Sequence, residues 1–399
     1  MREEIKTRIE AVRRGEIPAG YRHTKDIGLA PFDWRIGKLS DVIHNEVRSV
    51  PKPNDAYWRL GIRSWAKGTF HSYVDDPSTV DMDELYVVRE NDLIVNITFA
   101  WEHAIAIASK DDDGLLVSHR FPTYVFDNGN SPKYYGAVIS QRFFKDMLEH
   151  ISPGGAGRNR VLNRNDFLNL PCYIPSIAEQ HKIAEILSTC DRVIELKQQL
   201  LDEKRKQKQW IMFLIFDEQY LISGFTEELS FNDIFVTHST RGHQIKTDQY
   251  EKSGEYPVID QGKRAIVAYS NDASKLIDCP KTGLIIFGDH TKELKFINFD
   301  FVVGADGVQL ISAKENVIST EFGYYLLASK KLPNDGYSRH FKYLKEETYT
   351  VPERKSQDII TSLLKTMDKE ILLLEQELEA WQKKKKALMQ LLLTGLVRV

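Results

Sequence analysis

The sequence predicts a mixed α/β (α+β) fold in which two similar globular domains alternate with two long helices. The helices pack on each other as a coiled coil, and the whole forms an internal pseudo-twofold repeat. Three observations predict this. The chain has 399 residues, of which 42% are hydrophobic and 11% aromatic, enough for two or more buried cores. IPSIAEQHKIAEILSTCDRVIELKQQL (174–200) parallels VPERKSQDIITSLLKTMDKEILLLEQEL (351–378) without a gap. Each copy then runs on with no interior proline or glycine, to Phe216 in the first and Thr394 in the second, as long helices do.

Taken in chain order, MREEIKTRIEAVRRG at the start is charged, reads as a helical segment and carries no apolar core of a signal peptide. The longest uncharged apolar patches, such as WIMFLIF (210–216), are too short to span a bilayer, so neither secretion nor a membrane is expected. Cys172, Cys190 and Cys279 lie far apart, which suggests neither a disulfide framework nor a cysteine zinc site and fits a reducing cytoplasm. A formal net charge of −3 argues against gripping nucleic acid through bulk positive charge. The basic runs DEKRKQKQ (202–209) and QKKKKA (382–387) read as solvated helix faces.

An offset of 177 pairs Pro175 with Pro352, Gln180 with Gln357, Ile183 with Ile360, Leu187 with Leu364, Asp191 with Asp368, Ile194 with Ile371 and Met212 with Met389. Ser176 and Glu179 have the S-x-x-E spacing of a capping box. In the second copy Ile360, Leu364, Met367, Ile371, Leu374, Leu378, Trp381, Leu388 and Leu392 follow steps of four and three, broken only at Lys385. That is a coiled-coil seam. The first copy keeps Ile183, Leu187, Cys190, Ile194, Leu201, Ile211 and Ile215 in frame but places Lys197, Lys204 and Lys208 on it. Its seam reads as weaker and open to sharing with another surface. At 1.5 Å per residue, helices of about forty residues make a rod of roughly 60 Å.

Looser correspondences precede the helices: LSDVI (39–43) with FNDIF (231–235), NDLIVNI (91–97) with TGLIIFG (282–288), and YYGAVIS (134–140) with EFGYYLLAS (321–329). A basic, glycine-containing loop precedes each helix, GGAGRNRVLNRNDF (154–167) and NDGYSRHFKYL (334–344). The expected domains are therefore 1–174, with its N-terminal helical segment, a helix over 175–222, a second domain over 223–350 and a second helix over 351–399.

GLIIFGDHTKELKF (283–296) resembles a metal-dependent nuclease site, with Asp289, His290, Glu293 and Lys295, and Asp278 as a further carboxylate. The repeat supplies an internal control. The matching stretch of the first half, NDLIVNITFAWEHAIAIAS (91–109), has no E-x-K, so GLIIF reads as a core strand and DHTKELKF as the turn and strand beyond it. No phosphate loop or methyl-donor loop is present, NLPCY (169–173) falls short of an amino-methyltransferase motif, and the histidines fall in no metal-ligand spacing. Neither a catalytic residue nor a metal site is expected.

The repeated helix block, the phrase IIFGDHTKELKFINFDFVVGADGVQLI (285–311), the closing LMQLLLTGLVRV (388–399) and PFDWRIGKLSDV (31–42) together resemble the specificity subunit of type I restriction–modification systems. The resemblance spans nearly the whole chain. It implies a non-catalytic protein with two target-recognition domains, each reading half of a bipartite double-stranded DNA target, and two long antiparallel helices that set the spacing. It also implies docking of modification (methyltransferase) subunits and restriction/translocase subunits, two of each. Cofactors would belong to those partners, which use S-adenosylmethionine, ATP and Mg; none is expected in this chain. PERKSQDIITSLL in the second helix departs from the glutamine-lysine-isoleucine form of the first, which puts identical docking by the two helices in doubt.

Base reading needs Arg, Lys, Asn or Gln on loops held by a rigid core. In the first half the candidates are Arg59, Arg63 and Lys67 in YWRLGIRSWAKGTF, then His119, Arg120, Arg158, Asn159 and Arg160. In the second half they are Gln261, Lys263 and Arg264 in DQGKRAI, then His290, Lys292, Arg339, His340 and Lys342. The competing readings are a specificity subunit of a smaller fused system, and a coiled-coil scaffold that never meets DNA and so shows no salt-dependent DNA affinity.

Overall fold

The computed structural model describes residues 3–155, 160–216, 226–304, 307–333 and 339–399. The chain forms two compact units. One comprises residues 1–196 with 378–399, and the other comprises 197–377.

The first unit holds a four-stranded antiparallel sheet in the order Ile105–Ile107, Leu93–Val95, Thr123–Phe126, Ile43–Asn45. A five-stranded sheet follows the order Ser49–Pro51, Glu84–Val87, Leu116–Val117, Tyr57–Ile62, Thr69–Val74. The second unit builds the same four-stranded order from Leu294–Ile297, Leu284–Gly288, Val308–Ala313 and Phe235–His238. Its second sheet keeps the same parallel neighbours, with Tyr256–Ile259 beside Phe301–Gly304 where the first unit has Tyr57–Ile62 beside Leu116–Val117. The two sheets differ at an edge: Ser49–Pro51 pairs with Glu84–Val87, whereas Gln244–Ile245 pairs with Phe301–Gly304. Each unit also closes with a strand pair, Arg35–Lys38 with Pro171–Ile174 and Thr226–Ser230 with Thr348–Pro352.

The three looser sequence matches fall on equivalent elements. NDLIVNI and TGLIIFG supply the strands Leu93–Val95 and Leu284–Gly288, and YYGAVIS and EFGYYLLAS supply the helices Pro132–Ile139 and Thr320–Ala328. LSDVI and FNDIF each form one short helical turn leading into the edge strand. Among the described residues, the first unit alone adds the N-terminal helix Glu3–Arg13 and the hairpin of Tyr21–Thr24 with Gly28–Pro31.

The long helices run over Ile177–Phe216 and Arg354–Leu393. Their ends are core rather than free rod. In the first unit Ile183, Ala184 and Leu187 of one helix and Leu392 of the other join a cluster with Trp34, Tyr124, Tyr135 and Phe167. In the second unit Ile215 of the first helix and Ile360, Leu364 and Met367 of the second join Phe231, Phe287, Phe322 and Tyr349. Complete burial of each such aliphatic side chain contributes about 1.5–3 kcal/mol. Leu201 and Leu378 are also buried, while Ile194, Ile371, Leu374 and Trp381 are half-buried.

The helices are antiparallel. Within the second unit Lys197, Lys204 and Lys208 meet Glu377, Glu370 and Asp368, partner numbers falling as the first rise. These contacts correct the reading of the first seam as open to another surface: each lysine on it is matched by an acid of the opposite helix. The repeat reaches down to these pairs. Asp191 binds Lys385 in the first unit and Asp368 binds Lys208 in the second, each residue 177 positions from its equivalent.

The repeated glutamine anchors each helix start. Gln180 is fully buried, donates through Nε2 to the carbonyl of Pro175 (3.1 Å) and to Asn130 Oδ1 (3.0 Å), and accepts from the Ser131 amide (3.0 Å). Gln357 repeats the first bond, to the Pro352 carbonyl at 2.9 Å, and donates to Val317 O at 3.2 Å. The capping box at Ser176 is only half formed. Ser176 Oγ accepts from the Glu179 amide, but the Glu179 carboxylate turns to Trp34 Nε1 (2.9 Å) and to the Arg398 guanidinium (2.6 Å). A buried indole and a guanidinium that also grips Asp33 hold that carboxylate more strongly than one backbone amide would.

Candidate nucleic-acid interface

YWRLGIRSWAKGTF forms a hairpin. Tyr57–Ile62 pairs with Thr69–Val74 in antiparallel register, and the Arg63 amide closes the loop onto the Gly68 carbonyl at 2.9 Å. Tyr57 and Leu60 point to opposite faces of the first strand and are buried in separate clusters, while Trp58 and Arg59, also on opposite faces, are exposed. Arg63 and Lys67 are exposed at the tip, and the Arg63 guanidinium stacks on the Phe70 ring 5.3 Å from its centre. Between them Trp65 (φ 64°) and Ala66 (φ 49°) adopt left-handed backbone, where Asn-Gly is the ordinary choice. That conformation costs about 1–2 kcal/mol per non-glycine residue.

The tip is held by what lies behind it. The amides of Trp65 and Ala66 donate to the carbonyls of Glu102 and His103, both at 2.8 Å, and Ser64 Oγ donates to the Glu102 carboxylate at 2.6 Å. His103 is buried with Nε2 2.6 Å from the Ile139 carbonyl. Burial lowers its pKa below the ordinary 6.5, against the opposing pull of that carbonyl. Arg120 is exposed and its guanidinium reaches Thr98 Oγ1 at 3.3 Å, while the adjacent His119 is exposed with its carbonyl bound by Arg164. Arg160 is half-buried, donates to the carbonyls of Ser152 and Glu149, and lies 5.1 Å from the Trp101 ring centre. It therefore braces the domain. Arg158 and Asn159 lie outside the described residues.

The second unit presents a different loop in the equivalent place, between Tyr256–Ile259 and Ala268–Ser270. Lys263 and Arg264 are exposed. The loop is stapled by Lys295, whose ammonium donates to the carbonyls of Asp260 (2.8 Å) and Arg264 (2.6 Å), and by Thr291, whose hydroxyl donates to the Gln261 carbonyl. Gln261 Oε1 faces the His290 amide at 3.4 Å. Burial lowers the Lys295 pKa, opposed by Asp260 and Glu293.

The nuclease-like stretch thus divides into structural parts. Leu284–Gly288 is a fully buried strand and Leu294–Ile297 is its antiparallel partner. Buried Asp289 accepts from the Phe341 amide (2.9 Å) through Oδ1 and from Gln309 Nε2 (3.4 Å) through Oδ2, while its carbonyl accepts from the His340 amide at 2.9 Å. It ties the helix Phe341–Glu346 to the sheet. His340 is completely buried, with Nδ1 3.0 Å from the same carbonyl. The expectation that it faces DNA is corrected, because its ring is part of the domain's packing. Lys292, half-buried, donates to the Pro333 carbonyl at 2.6 Å, and His290 is half-buried; Arg339 and Lys342 are exposed. Among the described residues no three His, Cys, Asp or Glu side chains converge as metal ligands.

The sequence pointed to the cations of these loops but not to Trp65 or to Lys295 as a staple. The alternation of outward aromatics Trp58, Trp65, Phe70 and Tyr73 with Arg59, Arg63 and Lys67 was the available signal for Trp65.

The architecture defines a duplicated α/β domain in which each copy feeds a long antiparallel helix and presents a stapled basic loop between two strands. Residues 31–203 match the family described as type I restriction modification DNA specificity domain. The chain is 24% identical to the type I restriction enzyme MjaX specificity subunit of Methanocaldococcus jannaschii, covering 94% of this chain and 96% of that one. A type I restriction-modification system S subunit from M. genitalium has the same fold, with a TM-score of 0.56 and 16% identity over 94% of this chain and 97% of that one. So does a chain from work on complex assembly and conformational transition of the type I R-M system, with a TM-score of 0.55 and 14% identity over 92% of this chain and 99% of that one.

Proposed function

We propose that this chain is the DNA specificity subunit of a type I restriction–modification complex and itself carries out no chemistry. The carrying observation is the duplication of one fold, with the same four-stranded sheet order and the same parallel strand neighbours in both copies, each copy leading into an antiparallel helix. Residues 1–174 and 223–350 act as target-recognition domains, and 175–222 and 351–399 act as spacer helices.

Each domain reads half of a bipartite duplex target. In the first, Arg59, Arg63, Lys67 and Arg120 are the exposed cations suited to base edges or phosphates; in the second, Lys263, Arg264, Arg339 and Lys342 are. A helix of forty residues is about 60 Å long, against about 34 Å for one DNA turn, so helix length sets the gap between half-sites. The helices dock two modification subunits, and two restriction subunits join them. S-adenosylmethionine, ATP and Mg are used by those partners. The complex works in the cytoplasm, in keeping with three free cysteines and with the absence, among the described residues, of any helix long and apolar enough to cross a membrane.

Co-expression with the cognate modification subunit, followed by mapping of methylated adenines by single-molecule sequencing, tests this reading. Methylation at one split motif is expected. Unmethylated DNA from a soluble, methyl-donor-supplied complex that also lacks salt-dependent DNA affinity would overturn it in favour of a scaffold.

A further inference from the structure

We infer that Trp65 is a stacking wedge: its indole inserts between adjacent base pairs of the half-site read by the first domain. This rests on the DNA-recognition reading above and adds a mode of contact that the cations do not supply.

Four observations converge on it. Trp65 is 63% exposed, the most exposed of the large hydrophobic side chains in the described residues, and it sits at the end of a hairpin rather than on a flat face. Its left-handed backbone is maintained by two amide bonds and the Ser64–Glu102 bond, so the indole is presented from a rigid support. A strained, braced conformation at an exposed aromatic is the arrangement found where a side chain must be delivered to a ligand. Cations flank it: Arg63 and Lys67 lie on either side in sequence, while the Lys145 ammonium, paired with Glu149 at 3.2 Å, lies 5.2 Å from the ring centre and steadies the indole from the domain side. An indole has no charge for a phosphate and one donor for a base edge, but it has a large π-face for a nucleobase.

The partner is therefore a polyanion carrying flat aromatic groups, which is a nucleic acid, and the duplex setting makes the contact an insertion at a base step. Insertion is easiest at pyrimidine–purine steps, which unstack readily. The equivalent loop of the second unit, Asp260 to Val267, has no aromatic residue, so the wedge belongs to one half-site only.

The test uses the full chain in complex with its modification subunit on duplexes of the mapped target. Each carries 2-aminopurine at a single position other than the methylated adenine. The wild-type complex is expected to raise fluorescence at one step of one half-site. Trp65→Ala should lose that signal and weaken binding by about 5- to 150-fold, the equivalent of one base stack, while Trp65→Phe retains most of both. The slope of log affinity against log salt should be unchanged in Trp65→Ala, because an indole releases no counterions, whereas Lys67→Ala should lower its magnitude by about one. Wild-type fluorescence and affinity in a folded Trp65→Ala complex would overturn the wedge and leave the DNA-recognition reading standing. An altered salt slope with a lowered melting temperature would reduce Trp65 to a structural residue. Failure of the wild-type complex to bind its target would instead overturn the reading itself.

Discussion

The two units share a scaffold and differ at the loop each holds out. In the first, a hairpin end carries Arg63, Trp65 and Lys67 and is braced from behind by backbone carbonyls of Glu102 and His103. In the second, a wider loop carries Lys263 and Arg264 and is braced from within by the Lys295 ammonium. The four-stranded sheet order, helix starts and cross-helix ion pairs repeat; the edge of the second sheet and the loop chemistry do not. The difference teaches that one scaffold can present unrelated side chains because different internal devices supply the rigidity. A protein that must read two different half-sites needs that freedom.

The comparison breaks first, and most strongly, in the shared core. Leu187→Ala and Leu364→Ala stand at equivalent positions, 4% and 0% exposed, where each seam enters its domain core. Each should cost about 2–5 kcal/mol in urea unfolding. If either costs under about 1 kcal/mol, that helix start is not part of the domain core.

The glutamine pair gives a smaller and unequal effect. Gln180→Ala strips the buried Ser131 amide and Asn130 of their partner and should cost about 1–3 kcal/mol. Gln357→Ala should cost less, because Gln357 Oε1 itself has no hydrogen-bond partner to lose. Melting temperatures of the two variants would sharpen the asymmetry, and equal losses would erase it.

An acid-dependent difference should also separate the units. The folded His103 pKa lies below the unfolded value of about 6.5, so the unfolded chain takes up this proton first as pH falls. The stability is complete above that value and is lost as pH drops toward the folded pKa. Melting curves from pH 7.5 to 5.5 should therefore fall less steeply for His103→Gln than for the wild-type protein.

The smallest effect concerns the ion pairs. Double-mutant cycles on Asp191–Lys385 and Asp368–Lys208 should each give about 0.2–1 kcal/mol of coupling that weakens with salt, as partly exposed pairs do. Similar couplings are expected because the two pairs are repeat equivalents. A value near zero for one only would limit the repeat to geometry.

Much of this was legible in the sequence. Leu364, Met367, Ile371 and Leu374 mark a helix by spacing alone, and the offset of 177 links it to its copy. The looser match of 91–109 to this region exposed the D-H…E-x-K stretch as unrepeated, and Asp289 and Lys295 prove to hold backbone. The partners of Lys197, Lys204 and Lys208 were hidden, since they lie more than 150 residues away on an antiparallel helix that a one-helix pattern cannot register. The Trp65–Ala66 turn was hidden for a different reason: neither residue carries a turn preference, and its conformation comes from carbonyls 37 residues downstream. Strands as short as Leu116–Val117 offer too few residues for any alternation to be read.

The central claim is that the two units are interchangeable readers on one repeated frame. It is tested most directly by replacing residues 35–174 with residues 227–351, so that the second recognition domain occurs twice, and mapping adenine methylation by the resulting complex. The account predicts a symmetric split target, two inverted copies of the second half-site, with the gap unchanged. A soluble, active complex that still methylates the original asymmetric motif would contradict it.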